Sequence, residues 1–247
     1  MPTGKPLNAF LGFEPREADA YAVARQTIKS QNAHTLVQGL VLSDLIADGL
    51  YYRPTERRLG IMWDVISDAP CSTEFAISRF LVPAIVKKQK GAHQPFYGWG
   101  LFADCDVLFR SNLTNLKEHL DDSKAVFCVK HNHTPFHSEK MDGQIQTQYP
   151  RKNWSSVMVF NVDHPSNDAL TVEMVNTLPG RDLHRFCWLK DDEIGELPPE
   201  WNYLVGHTDT NVDPKIVHFT DGTPGMHGFR NVAYAEEWRK ELARWAR

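Results

Sequence analysis

Cysteine is scarce: there are four in 247 residues (Cys71, Cys105, Cys128 and Cys187), and no two have CxxC spacing. That excludes a disulfide-stapled scaffold and a zinc-ribbon framework; in a cytoplasmic protein such thiols are expected to be reduced and structural. No apolar run approaches the roughly 20 residues that span a bilayer. The stretch "MPTGKPLNAFLGFEPRE" has no apolar core followed by a cleavage site, so export by a signal peptide is not expected and a cytoplasmic location is. Basic residues are not in surplus: 27 Lys and Arg stand against 31 Asp and Glu, a net charge of −4. Without a basic surplus the chain is poorly suited to non-specific nucleic-acid binding, which depends on neutralising phosphates. Internal repeats and low-complexity linkers are missing too. The remaining composition is ordinary for a globular protein, 42% hydrophobic and 23% charged, at a length that can bury a substantial core.

The apolar pattern alternates between strand-length runs and helical periods. "LNAFLGF" suits a buried strand. "EPREADAYAVARQTIKSQ" predicts a helix, with Pro15 early and Tyr21, Ala24 and Ile28 on one face. "QGLVLSDL" reads as a second strand, followed by a polar, proline-bearing region around "YYRPTERR". A helix is expected from about Ser72 through "STEFAISRFLVPAIVKK", with Ser72 or Thr73 as cap and a kink or break at Pro83. "GLFA", "DVLF", "KAVFCV", "SSVMVFNV" and "KIVHF" are each about strand length. "SNDALTVEMVNTLPG" reads as a helix closed by Pro179 and Gly180, and Trp238, Leu242 and Trp245 sit at the spacing of a packing helix. Strands apolar throughout, alternating with helices, predict an α/β architecture with a mostly parallel sheet, in which ligands collect at the carboxyl ends of strands.

That rule directs attention to "WGLFADCDVLF", where Asp104 and Asp106 interrupt an apolar run at the end of a predicted central strand. In extended backbone, residues i and i+2 point the same way, so the two carboxylates converge while Cys105 turns aside. Paired hard oxygens suit Mn²⁺ or Mg²⁺, and a bound cation can clamp a diphosphate. An Asp-rich turn is the plain alternative, and on the tripeptide alone the two readings stand level. "KIVHFTDGTPGMHG" offers a second element: His218 ends an apolar strand and leads into a loop with Gly222, Pro224 and Gly225, able to give a nitrogen ligand and wrap phosphate oxygens. The run Asp191-Asp192-Glu193 is either a solvated turn or a carboxylate placed beside an electrophilic carbon. Asn153, Ser155 and Ser156 enter a strand as small polar groups suited to bonding hydroxyls, with Trp154 as a stacking face or a packing residue. His131, His133 and His137 read as a substrate-facing loop, not as a separate metal site.

Taken in order, "FLGFEPREADAYAVARQTI", "STEFAISRFLVPAIV", "GWGLFADCDVLF", "VKHNHTPF", "KMDGQIQTQYPRKNWSSVMVFN", "LPPEWNYLVG" and "VHFTDGTPG" cover most of the chain. Together they resemble bacterial GT-A glycosyltransferases related to the glycogenin and galactosyltransferase-like group, glycosyltransferase family eight. The resemblance implies a GT-A fold with a Rossmann-like sheet in one domain over 1–247. Within it, 1–110 would be mainly nucleotide-binding, 111–230 mainly acceptor-binding, and 231–247 a carboxyl-terminal helix. It implies a metal-dependent hexosyltransferase that takes a sugar from a nucleoside diphosphate, uridine-based, to a hydroxyl acceptor with retention of configuration. Asp104 and Asp106 then form the DxD motif, with His218 completing the Mn²⁺ or Mg²⁺ site. Arg79 lies near the donor sugar and diphosphate. Gly12 and Phe13 belong to the base-binding loop, Ser155, Ser156 and Gly222 to the donor contacts, and Asp191 and Asp192 stand near the anomeric carbon. The chain departs from those relatives in three places. Trp154-Ser155-Ser156 replaces an Asn-Ser-Gly-like stretch, and Asp192 stands where they have glutamine. The closing loop lacks their lysine and tryptophan, which leaves phosphate neutralisation to Arg79, Lys152 or Arg230. The acceptor (glycan, lipid, protein or small molecule) is not readable. A metal-dependent nucleotide-sugar hydrolase and a non-catalytic nucleotide-binding module are the competing readings; a nucleic-acid acceptor finds no support in the charge balance.

Overall fold

The structure, a computed structural model, describes residues 5–91, 97–131 and 153–246. It opens with β1 (Leu7–Gly12), α1 (Ala18–Gln31) and β2 (Val37–Leu40), a β-α-β unit whose strands pair in parallel. Pro15 lies in a 3₁₀ turn ahead of α1, and Ala24 and Ile28 on the helix's inner face are buried. A short helix α2 (Leu42–Ala47) follows. The polar region around "YYRPTERR" leads into an antiparallel arrangement of β3 (Thr55–Arg58), β4 (Ile61–Asp64) and β5 (Ala69–Pro70). Its first turn is Leu59-Gly60 with φ of 52° and 83°, the pair of positive angles that matches the twist of a tight hairpin.

The helix expected from Ser72 starts ten residues later, as α3 (Val82–Lys90), after a 3₁₀ turn over Ser78–Leu81. Pro83 stands in its first turn, where a missing N–H costs no hydrogen bond, so the proline opens the helix instead of kinking it. The segment read as one helix before Pro179 is likewise a 3₁₀ turn, Pro165–Asp168, followed by α4 (Val172–Thr177), which Thr171 caps through its side chain. Gly180 does not close that helix; it begins α5 (Gly180–His184).

The remaining strands are β6 (Trp99–Ala103), β7 (Val107–Phe109), β8 (Val126–Cys128), β9 (Val157–Asn161), β10 (Ile194–Glu196), β11 (Tyr203–Leu204) and β12 (Ile216–His218); α6 (Ala235–Trp245) follows them. Among the described residues the main sheet has the order β10-β8-β9-β6-β1-β2. It is parallel except for β9, which runs against both β6 and β8. Both faces are covered, as its continuous apolar strands require. Phe10, Phe102 and Phe160 pack to one side with Phe80 and Val82, while Leu11, Leu101, Trp99 and Val159 pack to the other with Ile28 and Trp201. A smaller sheet, β11-β12-β7, sits under α6, whose Trp238 is buried against Val217 and Phe219.

One buried ion pair ties the hairpin to the second half of the chain. Arg53 Nε and Nη2 each donate to Asp64 at 2.6 Å, and Arg53 Nη1 donates to the carbonyls of Val175 and Leu178 at 3.0 and 2.7 Å. Ser67 Oγ accepts from both Arg53 Nη2 and the Gly180 N–H that opens α5. The guanidinium holds Asp64 below the ordinary carboxylate range even though burial opposes it.

Candidate active site

The tripeptide Asp104-Cys105-Asp106 is the crossover from the main sheet to the small one. β6 ends at Ala103 and β7 begins at Val107, so each aspartate continues a different sheet. The Asp104 N–H donates to Ser156 O at 2.9 Å, and Asp106 O accepts from the Phe219 N–H at 2.9 Å. Cys105 turns away, fully buried, with Sγ 3.6 Å from Glu17 Oε2. β12 pairs antiparallel with β7, placing His218 opposite Val107 and therefore beside Asp106. One ligand atom from each of Asp104, Asp106 and His218 lies within 4.8 Å of the others.

The imidazole's orientation follows from its hydrogen bonds. Ser156 Oγ donates to the Asn153 carbonyl at 2.7 Å, since a carbonyl only accepts. That hydroxyl can therefore accept the 2.9 Å bond from Asn202 Nδ2. Asn202 Oδ1 then faces His218 Nδ1 at 2.9 Å, which puts the proton on Nδ1. Nε2 is left with its lone pair toward Asp106 Oδ1, 3.3 Å away. Asp106 Oδ1 is buried and accepts no well-formed hydrogen bond. A buried oxygen without a donor, a second carboxylate and an imidazole nitrogen freed by its neighbour fit a divalent cation such as Mn²⁺ or Mg²⁺. Burial alone would pull the imidazole down, but Asp106 and Asp104 outweigh it and raise His218 above its ordinary value. Without a cation, a proton is drawn to the same place.

Arg79 stands next to the aspartates in the 3₁₀ turn before α3. Its Nη1 lies 2.8 Å from Asp104 Oδ1 and donates to Ser155 O, also at 2.8 Å. The guanidinium is stacked over Phe102 and Phe75, at 4.8 and 5.3 Å from the ring centroids. Those two ring contacts, with the bonds to Asp104 and Ser155, hold the planar cation in one orientation. Parallel register brings β1 to the same level: Leu11 pairs with Ala103, so Gly12 ends its strand level with Asp104, and Phe13 follows. Gly12 lies against Phe75, whose ring a Cβ there would strike, and Phe13 meets Tyr21 edge to face at 5.1 Å. On the other flank, the Gly222 N–H closes a turn onto Phe219 O directly after β12.

Gly12, Phe13, Arg79, Asp104, Asp106, Ser155, Ser156, His218 and Gly222 thus gather around one crossover. Asp191 and Asp192 do not. They form an exposed 3₁₀ turn that precedes β10, and β10 is parallel to β8, with Ile194 opposite Val126. Through β9, Val126 is level with Gly100 at the start of β6. Ile194 therefore starts β10 about four residues of strand, roughly 13 Å, behind Asp104, and Asp192 lies beyond it at that end. Lys124 Nζ holds the Asp192 carbonyl at that far end. The sequence shows an acidic run beside a strand but not which end of the sheet it faces. Arg230 is exposed before α6, and Lys152, His133 and His137 lie outside the described residues.

Three residues join the site that the sequence did not single out. Asn202 looks like part of a polar loop in "PPEWNYL" but is fully buried and sets the His218 tautomer. Glu17 reads as an exposed helix start, yet it is buried behind Cys105, and burial with the Asp106 charge pushes its carboxyl up to about 8. His184, at the end of α5, meets Ser155 Oγ through Nδ1 at 2.7 Å. Only the pairing of buried elements reveals them.

No family model matches the sequence. Protein CDI of Arabidopsis thaliana is 38% identical over 244 residues, covering 96% of this chain and 86% of that protein. The chain belongs to the family of Protein CDI. Among solved structures, the bifunctional glycosyltransferase WbbM superposes with a TM-score of 0.62 at 13% identity, over 98% of this chain and 50% of that one. The glycosyltransferase GlyE of Streptococcus pneumoniae superposes at 0.57 and 13% identity, over 99% of this chain and 62% of that one. The galactosyltransferase LgtC, solved with donor and acceptor sugar analogs, gives 0.53 at 13% identity over 96% of this chain and 95% of its own. The chain spans half the length of WbbM and nearly all of LgtC. The fold of this Protein CDI relative is the GT-A fold. Among the described residues no helix is long and apolar enough to cross a membrane.

Proposed function

We propose that the chain is a glycosyltransferase that moves a hexose from a uridine diphosphate donor to a hydroxyl acceptor, with retention of configuration. The observation that carries the reading is the Asp104–Asp106–His218 group on the crossover between the sheets, with Nε2 of His218 freed for a ligand by Asn202. Asp104, Asp106 and His218 would hold Mn²⁺ or Mg²⁺, which supplies Lewis-acid charge neutralisation for a departing diphosphate. Arg79 adds a fixed planar cation on the same side, its charge shared between Asp104 and incoming phosphate oxygens. Phe13, just after β1, offers an aromatic face for the base beside Gly12, and the loop through Gly222 borders the phosphates on the other flank. Ser155 and Ser156 border the carboxylates through their carbonyls, and the Ser156 hydroxyl supports the Asn202 amide behind His218. Asp191 and Asp192 take no part in this arrangement.

The test is a screen of uridine and guanosine diphosphate sugars with Mn²⁺, read by thermal shift and by nucleoside diphosphate release. A uridine diphosphate sugar should raise the midpoint by mass action and release UDP. Product analysis with candidate acceptors then separates transfer from plain hydrolysis, and proton NMR of the fresh product reads the anomeric configuration. No shift with any donor would overturn the reading.

A further inference from the structure

The metal group, Arg79 and the serine turn account for the diphosphate side of the site but leave one polar pair unused, Ser155 Oγ with His184 Nδ1. Ser155 is fixed by its backbone to the metal side: its carbonyl and Asp104 Oδ1 both lie 2.8 Å from the same nitrogen, Arg79 Nη1. The next residue's carbonyl accepts the Asp104 N–H. The Ser155 side chain is held from another element altogether. α5 starts on Ser67 Oγ, the oxygen that the buried Arg53 also contacts, and ends with His184, whose ring meets Phe80 edge to face at 5.2 Å. Phe80 follows Arg79 in the same 3₁₀ turn, so the two walls of the pair are anchored by adjacent residues.

A sugar on a diphosphate clamped at Asp104 and Asp106 lies within one phosphate of those carboxylates. The polar groups bordering them that do not face the cation are the ones that meet it. We propose that His184 is a positioning residue for sugar selection, orienting the Ser155 hydroxyl so that this hydroxyl accepts a hydrogen bond from one hydroxyl of the donor sugar. The inference rests on the nucleotide-sugar reading above. The chemistry holds for either imidazole tautomer. If Nδ1 accepts, Ser155 Oγ donates to it and keeps both lone pairs; if Nδ1–H donates, Ser155 Oγ still keeps a lone pair. A partly buried hydroxyl oriented in this way favours a sugar hydroxyl placed to reach it and penalises an epimer that leaves it unpaired.

The experiment measures binding, so it does not depend on turnover. Affinities for UDP and for UDP-glucose, UDP-galactose and UDP-N-acetylglucosamine are determined with Mn²⁺ by calorimetry for wild type, His184→Phe and His184→Asn. The phenylalanine keeps a ring against Phe80 without the polar atom, and the asparagine restores a polar atom near the Nδ1 position. His184→Phe should lower the ratio of UDP-sugar to UDP affinity, and the spread among the three sugars, about tenfold, with UDP affinity within about twofold. His184→Asn should recover most of the loss. An unchanged ratio in His184→Phe, or an equal loss for UDP and the UDP-sugars, would overturn the role of His184 and leave the glycosyltransferase reading standing. Wild-type protein that binds none of the UDP-sugars would overturn that reading and this inference with it.

Discussion

Replacing Asn202 with leucine, which has the same number and branching of side-chain heavy atoms and no polar ones, should weaken Mn²⁺ binding without unfolding the protein. In the native arrangement Asn202 Oδ1 accepts from His218 Nδ1 at 2.9 Å and Asn202 Nδ2 donates to Ser156 Oγ at 2.9 Å. With leucine, Nδ1–H loses its acceptor, and the imidazole no longer has a reason to keep Nε2 bare toward Asp106. Loss of such a supporting partner typically weakens a metal about 10- to 100-fold, or about 1.4 to 2.8 kcal/mol. Ser156→Ala probes the same chain from its far end. It leaves the Asn202 amide free to turn over, and a turned amide presents NH₂ to Nδ1, forcing the proton onto Nε2. Its effect should have the same sign and be smaller, since the native amide orientation stays available. Calorimetric titration of Mn²⁺ into each variant, with urea denaturation as control, reads both quantities. Affinity within about twofold of wild type in a folded Asn202→Leu protein would refute the tautomer argument.

The other predictions concern charge and packing around the same site. Asp104→Asn should abolish Mn²⁺-dependent stabilisation by UDP, read as a lost thermal shift. Arg79→Lys should also lose most of it, because one ammonium does not reproduce the planar fork that reaches both Asp104 and Ser155 while stacked on Phe102. Glu17, with a carboxyl pushed up to about 8 by burial and the Asp106 charge, binds its proton more tightly folded than unfolded. The folded, metal-free protein should therefore lose stability as pH rises from about 5 toward 8, and Glu17→Gln should flatten that decline in urea melts. Asp64 has the opposite sign: its pKa is lowered by Arg53 in the folded state, so its contribution is present above the unfolded value near 4 and is lost as pH falls below it. Asp64→Asn should remove that acid-dependent part in pH-jump unfolding. Gly222→Ala should cost about 1–3 kcal/mol in urea melts, since Gly222 has φ 157° and an added Cβ would strike the Phe229 ring.

The sequence singled out Asp104, Asp106 and His218, which the structure brings together, because their signal is local. Two aspartates spaced i, i+2 at the end of an apolar run fit a turn as well as a site, and it is His218, repeating the pattern at the end of another strand, that tips the balance. The same logic failed for Asp191 and Asp192, where the acidic run is just as visible. Strand direction and register place it at the back of the sheet, and neither is written in a run of residue types. Pro83 failed in a similar way: its apolar neighbours form a helical period, but a proline marks a helix start as readily as a break. Asn202, Glu17 and His184 were invisible for a further reason. Each acquires its role only through a partner far along the chain (His218, Cys105 and Ser155 respectively), and a lone polar residue near a strand or helix end carries no sign of it.

The crossover has a mechanical consequence. A cation on Asp104, Asp106 and His218 would be a clasp between two sheets, because Asp104 ends a strand of one, Asp106 begins a strand of the other, and His218 closes the neighbouring strand of the second. The small sheet is held to that crossover strand by the short ladder Ile216–Phe109, Val217–Leu108 and His218–Val107. Letting the ion go and letting β12 peel from β7 are then coupled events. Amide exchange at Val217 and Phe219 should slow with Mn²⁺ far more than exchange at the distant edge strand β10, so the residence time of the ion becomes readable in the breathing of a three-residue strand.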